Sequence, residues 1–229
     1  MHESLSFQHY IFTRFKYPTE YPHIEERVNI FKKYTAPSVI NQTEGRFKWI
    51  ILVNKEHQHH LENLDSRIIF VDTGFPEAMD FIRSDFKSEY LITTRLDNDD
   101  LIRLDAFEIK ITNFEKNPVD KIIDSKGYRM NGSGRKMIEF NMYGTQKNSP
   151  FSTAVKKIDK NLSDQDTVYQ IKHSLLYTKF PKVDFINDRL WIQLIHDTNK
   201  LNRGMSGKEV NINLLQKFLP KPPGPDRSK

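Results

Sequence analysis

The stretch Tyr90-Leu-Ile-Thr-Thr-Arg-Leu-Asp-Asn-Asp-Asp100 constrains this chain more than any other. Its first part is apolar and β-branched, the signature of a buried strand. It then runs straight into Asp97, Asn98, Asp99 and Asp100. Three carboxylates this close repel one another, and burying them without partners is expensive. A divalent cation would hold them together, and an all-oxygen ligand set selects hard ions such as Mg²⁺ or Mn²⁺. Ligands of open α/β sheets gather at the carboxyl ends of strands, where this cluster is expected to lie. Asp and Asn are also turn residues, so a solvated turn is the competing reading. An EF-hand loop does not fit: counting from Asp97, Leu101 and Ile102 fall where a ligand and a glycine are needed.

The chain has 229 residues, enough for one large α/β domain or two small ones. Its 16 Phe and 9 Tyr can build a core, which marks a globular protein rather than a disordered one. Cysteine is absent, which excludes disulfides, thiolate catalysis and zinc–thiolate sites. No apolar run reaches the ~18–20 residues that cross a bilayer. No basic-then-apolar leader opens the sequence, and a cytoplasmic location is expected. The net charge of +5 suits anionic ligands and acidic membrane surfaces, including peripheral association with the inner face of a membrane. Nucleic acid is not an expected partner: there is no basic helix, zinc-finger spacing or RNA-recognition signature.

In chain order, His9 to Phe15 reads as the first strand, with Arg14 near its carboxyl end where a guanidinium could grip phosphate. An ion pair at the surface is the simpler role for Arg14. Ile24, Val28 and Phe31 share a face of a helix over 24–36, which Pro37 should end or bend. Phe47 to Val53 is a second strand, buried on both faces. Glu56-His-Gln-His-His60 reads as an exposed loop or helix start rather than a ligand set. Arg67 to Asp72 is a third strand. Phe75, Met79, Ile82 and Phe86 mark an amphipathic helix that leads into the strand over 90–96. Leu104, Phe107, Ile111 and Phe114 mark another helix, closed by Asn117-Pro118. The order β-α-β-β-α-β-α predicts a mostly parallel sheet with helices on its faces.

The second half reads differently. Lys121–Asp124 and Lys136–Tyr143 are strand-like around Gly132 and Gly134, a hairpin turn. No GxxxxGK[ST] is present, so P-loop chemistry is excluded. Ser149-Pro150-Phe151 starts a loop or short helix. Val168, Ile171 and Leu175 predict a helix over 166–178, and Val183–Ile186 and Leu190–His196 two strands. Residues 200–208 read as a loop and Asn211 to Leu219 as a short helix. The proline-rich 220–229 tail is too poor in packing residues to order. No linker separates the halves, so 1–219 is expected to be one domain, with a nucleotide-binding half over about 8–117 and an acceptor half over about 118–205.

The segment Thr94-Arg-Leu-Asp-Asn-Asp-Asp100 resembles the signature of the rhamnosyltransferase family within the GT-A class of glycosyltransferases. Further pieces agree in order: Arg27 to Phe31, Pro37-Ser38 followed by Gln42, Phe47-Lys-Trp49, Gly127-Tyr128, Pro150-Phe151, His173, and Trp191-Ile-Gln193 with His196 and Asn199. The resemblance covers about residues 8–205. It implies a GT-A fold, in which a nucleotide-binding α/β sheet is fused to a smaller acceptor-side sheet. It also implies transfer of a sugar, rhamnose by the family's name, from a nucleotide-diphosphate donor to a glycan, glycolipid or polysaccharide acceptor.

Under that resemblance Asp99 is the first metal ligand, Asp97 holds the metal or the donor ribose, and His196 completes the site. A hydrogen-bonded His at the edge of the core is the alternative for His196. Arg14 and Arg95 are candidates for the diphosphate, and Arg95 equally for a structural partner of the acidic cluster. Inverting transfer needs a general base. Asp166 and Asp164, before the helix of the second half, match that context and also match helix caps; Glu139 is a third candidate. As a metal ligand, Asp99 should be replaceable by Ala without loss of melting temperature. Two other functions are compatible with a carboxylate cluster on this scaffold. One is nucleotidyl transfer to a sugar phosphate, disfavoured because Thr13-Arg-Phe-Lys-Tyr-Pro18 lacks glycine. The other is a non-catalytic sugar-binding module.

Overall fold

The computed structural model describes residues 5–17, 21–72, 74–140, 149, 151–171, 175–197, 199 and 204–221. Pro150, His173, residues 141–143 of the expected second-half strand, 200–203 of the loop and 222–229 of the tail lie outside them.

Four strands form a parallel block: β1 (Phe7–Phe15), β2 (Lys48–Val53), β3 (Ile68–Val71) and β4 (Tyr90–Arg95). Their spatial order is β4-β1-β2-β3. Period-two alternation sends successive side chains to opposite faces. Ile11, Phe15, Trp49, Ile51 and Val53 pack under α1 (Ile24–Ile30), α2 (Ala36–Ile40) and α5 (Ala106–Lys116), through Val28, Val39 and Phe107. Tyr10, Phe12, Ile50 and Leu52 pack on the other face under α4 (Phe75–Asp85), through Phe75, Ala78, Met79 and Ile82. Burial on both faces explains why these strands read as unbroken apolar runs. The short helix α3 (Lys55–Gln58) begins the histidine-rich stretch, and His57 is buried there rather than exposed.

The first helix does not stop at Pro37. It passes from α1 through a π-helical turn, Phe31–Thr35, into α2. The Ala36 N–H bonds to the Phe31 carbonyl, five residues back. Pro37 then falls in the first turn of α2, where its missing N–H is no loss.

The second half extends the same hydrogen-bonded sheet with β5 (Leu101–Ile102), β6 (Lys121–Asn131), β7 (Met137–Phe140), β8 (Thr153–Lys157), β9 (Val183–Ile195) and β10 (Glu209–Val210). The β6–β7 hairpin turns through Gly132 and Gly134 as expected, with Gly134 at φ +69°. An unexpected strand, β8, lies antiparallel between β4 and β6. The two strands expected over 183–196 are one strand, β9, parallel to β6. Register shifts at Ser125/Lys126 and Lys126/Gly127 accommodate its length.

The helix expected over 166–178 is not formed by the described residues there. A 3₁₀ turn, Asp164–Asp166, and a short α6 (Leu176–Lys179) occur there, and residues 167–171 are irregular. The reason is tertiary. The Val168 N–H donates to Thr93 Oγ1 at 2.9 Å, and the Tyr169 ring stacks on Phe75 at 5.0 Å. Val168 and Ile171 meanwhile pack with Ile122 and Ala154. Val168 and Ile171 share one cluster, Tyr169 turns to another, and Leu175 is exposed, so the spacing does not mark one buried helical stripe.

Gly127 is fixed by close approach. A Cβ built on it would lie 2.2 Å from the Trp191 ring, whose Nε1–H is held by the Ser125 carbonyl at 3.1 Å. Gly127→Ala should therefore lower stability by about 1–3 kcal/mol in urea unfolding, the range for overpacking a closed site. A second test concerns Lys110, which donates to the Phe151 carbonyl and to Thr153 Oγ1. Burial pushes its ammonium down to about 8 from the ordinary 10.5, against the attraction of Asp124. Between those values the unfolded chain binds more protons than the native one, so this residue makes stability rise with pH across that window. Lys110→Met should flatten that rise in urea midpoints measured across the same window.

Candidate active site

β1 and β4 are parallel neighbours, and the chain leaves them towards opposite sides of the sheet, β1 to β2 and β4 towards β8. A crevice at such a switch point, beyond the carboxyl ends of the strands, is where α/β sheets bind ligands. A cleft of about 270 Å³ opens there, lined by Arg14, Lys16 and Tyr17 after β1, by Asp97–Asp100 after β4, and by Arg27, Gln193 and Asn199.

The acidic turn is clamped from three directions. Asn98 donates through Nδ2 to the Arg14 carbonyl at 2.6 Å and pairs with the Tyr17 hydroxyl. The Thr35 hydroxyl donates to the Asn98 carbonyl at 3.0 Å. Asp100 accepts the Leu194 N–H at 2.8 Å, tying the turn to β9. Burial, reinforced by the charges of Asp99 and Asp97, pushes the Asp100 carboxyl well above the usual range.

Asp99 is the centre of the site. Its Oδ2 accepts from Arg27 Nη1 at 2.6 Å, Asn199 Nδ2 at 3.1 Å and His196 Nε2 at 3.1 Å. Its side chain is 13% exposed, and those of Arg27 and His196 are 6%. Burial pushes the Asp99 carboxyl up, but the His196 hydrogen bond and the Arg27 charge outweigh it and hold it below the usual range. Arg27 is the residue whose role the sequence reading missed. The signal was available: Arg27 stands three residues after Ile24 and one before Val28, on the apolar stripe of the first helix. A cation on that stripe requires a buried anion. Asn199 and Lys16 were also given no role; the Lys16 amine donates to the Asp72 carbonyl at 2.8 Å.

The other expected residues divide. Arg14, Asp97, Asp99 and His196 come together around the cleft wall. Arg95 contacts Asp97 at 3.4 Å, and the Asp97 side chain is 37% exposed. Asp164 and Asp166 are not brought to the cleft. Asp166 closes a capping box on Ser163, and Asp164 pairs with Arg83 of α4. Glu139 pairs with Arg189 at 2.9 Å. As arranged, Asp99 Oδ2 and His196 Nε2 leave no place for a divalent ion between them. The Arg27 guanidinium already lies against both Asp99 Oδ2 and His196 Nε2, the latter at 3.3 Å. Among the described residues, no group of three or more His, Asp or Glu is set to hold a metal.

The family described as "Putative rhamnosyl transferase" matches residues 11–208. The chain belongs to that family. The match includes Arg27, the acidic turn, His196 and Asn199. Two crystal structures of S. aureus TarS are similar in fold, each with a TM-score of 0.50. Identities are 9% and 10%, and the alignments cover 82% of this chain. They cover 37% and 60% of the two TarS chains, so this chain spans less than two thirds of either. No curated protein matches in sequence. The architecture is of the GT-A type, as the rhamnosyltransferase resemblance implied.

The pairing of Arg27 with Asp99 reverses the expectation for Asp99→Ala. That substitution leaves a buried guanidinium without its carboxylate and should cost about 3–5 kcal/mol of stability. Asp97→Ala, on the open side of the cleft, should stay within about 0.5 kcal/mol. Urea unfolding of the two variants beside the parent measures both.

Proposed function

We propose that this rhamnosyltransferase-family chain moves a sugar, rhamnose by the family's description, from a nucleotide-diphosphate donor to a glycan or glycolipid acceptor. The supporting observation is the switch-point cleft, where Arg14, Lys16 and Arg27 surround a single well-exposed carboxylate, Asp97. Breaking a glycosyl–phosphate bond builds negative charge on the departing diphosphate. Fixed cations in a partly dry cleft stabilise that charge without reorganising. Arg14 and Lys16, at the end of β1, are the proposed phosphate contacts.

A second cleft of about 680 Å³ shares His196 with this wall and is lined by Glu25, Glu26, Asn29, Lys33, Asn131 and Asp197 among others. Such side chains suit sugar hydroxyls, and we assign the acceptor to this cleft. Glu25, Glu26 and Asp197 then replace Asp164 and Asp166 as candidates for the base of an inverting transfer. No helix of the described residues is long and apolar enough to cross a membrane. The net charge of +5 favours approach to an acidic lipid surface carrying a glycolipid acceptor, on its cytoplasmic side.

Product analysis with a panel of nucleotide sugars separates the functions. Sugar transfer with nucleoside diphosphate released is expected. Pyrophosphate release would instead identify nucleotidyl transfer, and no turnover with any donor would identify a binding module. Arg14→Ala should raise KM for the donor about tenfold, the scale of one charge-assisted phosphate contact, with the melting temperature unchanged.

A further inference from the structure

We propose that the Arg27 guanidinium supplies the positive charge that a divalent cation supplies in a carboxylate-held nucleotide-sugar site, so that this chain grips its donor diphosphate without a metal ion. The proposal rests on the reading of the switch-point cleft as the donor site.

Four observations carry it. First, Asp99 Oδ2 receives three donors, Arg27, His196 and Asn199, at 2.6, 3.1 and 3.1 Å. A carboxylate oxygen offers two lone-pair directions, so none remains at that oxygen for an ion. Second, a His196 Nε2 that donates to Asp99 carries its proton and offers no lone pair to an ion, and Arg27 Nη1 lies 3.3 Å from it. Third, Arg27 cannot vacate the position by losing its proton, because an arginine stays charged in proteins. Its side chain is 6% exposed, and its helix is anchored by Val28 and Phe31 in the core. Fourth, Arg14 and Lys16 line the same cleft and bring its cations to three. Those charges suit a diphosphate. Asp97 remains facing the cleft, with Arg95 3.4 Å from it.

Arg27 also has the geometry of a preorganised donor. Asp99 fixes one of its nitrogens, and Arg27 lines the cleft wall that the phosphates would face. The guanidinium fork matches phosphate oxygens in a way an ammonium does not.

The test is nucleotide binding, independent of turnover. UDP, GDP, dTDP and CDP are titrated into the full chain by calorimetry and thermal shift, once in EDTA and once with Mn²⁺. At least one should bind in EDTA, with a Kd within about twofold of its value in Mn²⁺. Mn²⁺ titrated alone should show no site. A nucleotide that binds only when Mn²⁺ is present overturns the proposal and leaves the donor site standing. Binding of none of the four under either condition overturns the donor reading itself, and this proposal with it. In Arg27→Gln, affinity in EDTA should fall by about tenfold or more, the cost of removing a fixed charge partner. Mn²⁺ should restore part of the loss, because Asp99 and His196 are released. Unchanged affinity in Arg27→Gln overturns the proposal. Should that variant fail to fold, Arg27→Lys keeps the charge but loses the fork, and reduced affinity in EDTA is again expected. The EDTA comparison on the parent protein is decisive without either variant.

Discussion

A guanidinium and a carboxylate 2.6 Å apart, both nearly out of water, hold the working end of this molecule together. Removing either from solvent is costly, and their attraction offsets that cost only when geometry and further hydrogen bonds are good. Both conditions are met. His196 and Asn199 add to the same carboxylate oxygen, and the Asn199 side-chain oxygen accepts the His196 N–H at 2.6 Å. The pair thereby joins the first helix, the turn after β4 and the end of β9, three parts of the chain distant in sequence. It adds Arg27 and His196 to a turn that Asn98 already ties to the Arg14 carbonyl.

The crowding of three carboxylates in four residues is solved three different ways. Asp99 takes a buried cation. Asp97 stays at the solvent edge beside Arg95. Asp100 is buried, and its neighbours drive it towards the neutral form while it accepts a backbone N–H from β9. One motif thus contains a charged partner, a carboxylate at the solvent edge and a structural latch. Positive charge fixed before a ligand arrives needs no reorganisation during bond breaking, which is the advantage of preorganised electrostatics over recruited solvent.

The parallel block was legible because its signals are local and repeated. Apolar strand runs, the Phe75–Ile82 stripe and the Leu104–Phe114 stripe each report burial directly. β8 was not legible: Thr153-Ala-Val-Lys-Lys157 is short and ends in lysines, and the residues opposite Thr153, Thr94 and Ile123, lie on strands far upstream. The false helix over 166–178 arose because Val168, Ile171 and Leu175 share a helical spacing, while the tertiary partners of that segment lie in different directions. At the site, the ligand-type residues Asp97, Asp99 and His196 were visible as chemistry. The cation among them was legible only through the place of Arg27 on the apolar stripe of the first helix, which tells that it is buried and not which anion it meets. Asp164 and Asp166 matched a catalytic context in sequence and proved to be an ion-pair partner and a cap, the commoner uses of acidic residues before a turn.

The π-helical turn at Phe31–Thr35 sets the angular phase between α1 on one side and α2 on the other. One surplus residue is carried there, about 100° of rotation in an α-helix. Upstream, Arg27 points at Asp99; Thr35, at the end of the turn, reaches the Asn98 carbonyl, and downstream Ser38 Oγ accepts the Ile102 N–H. Both stretches of the helix thus address the acidic turn and the start of β5 that follows it. Excision of a single residue from that turn would close the bulge, yet leave guanidinium and hydroxyls out of step. Helix length in this segment is therefore counted in single residues, not in turns.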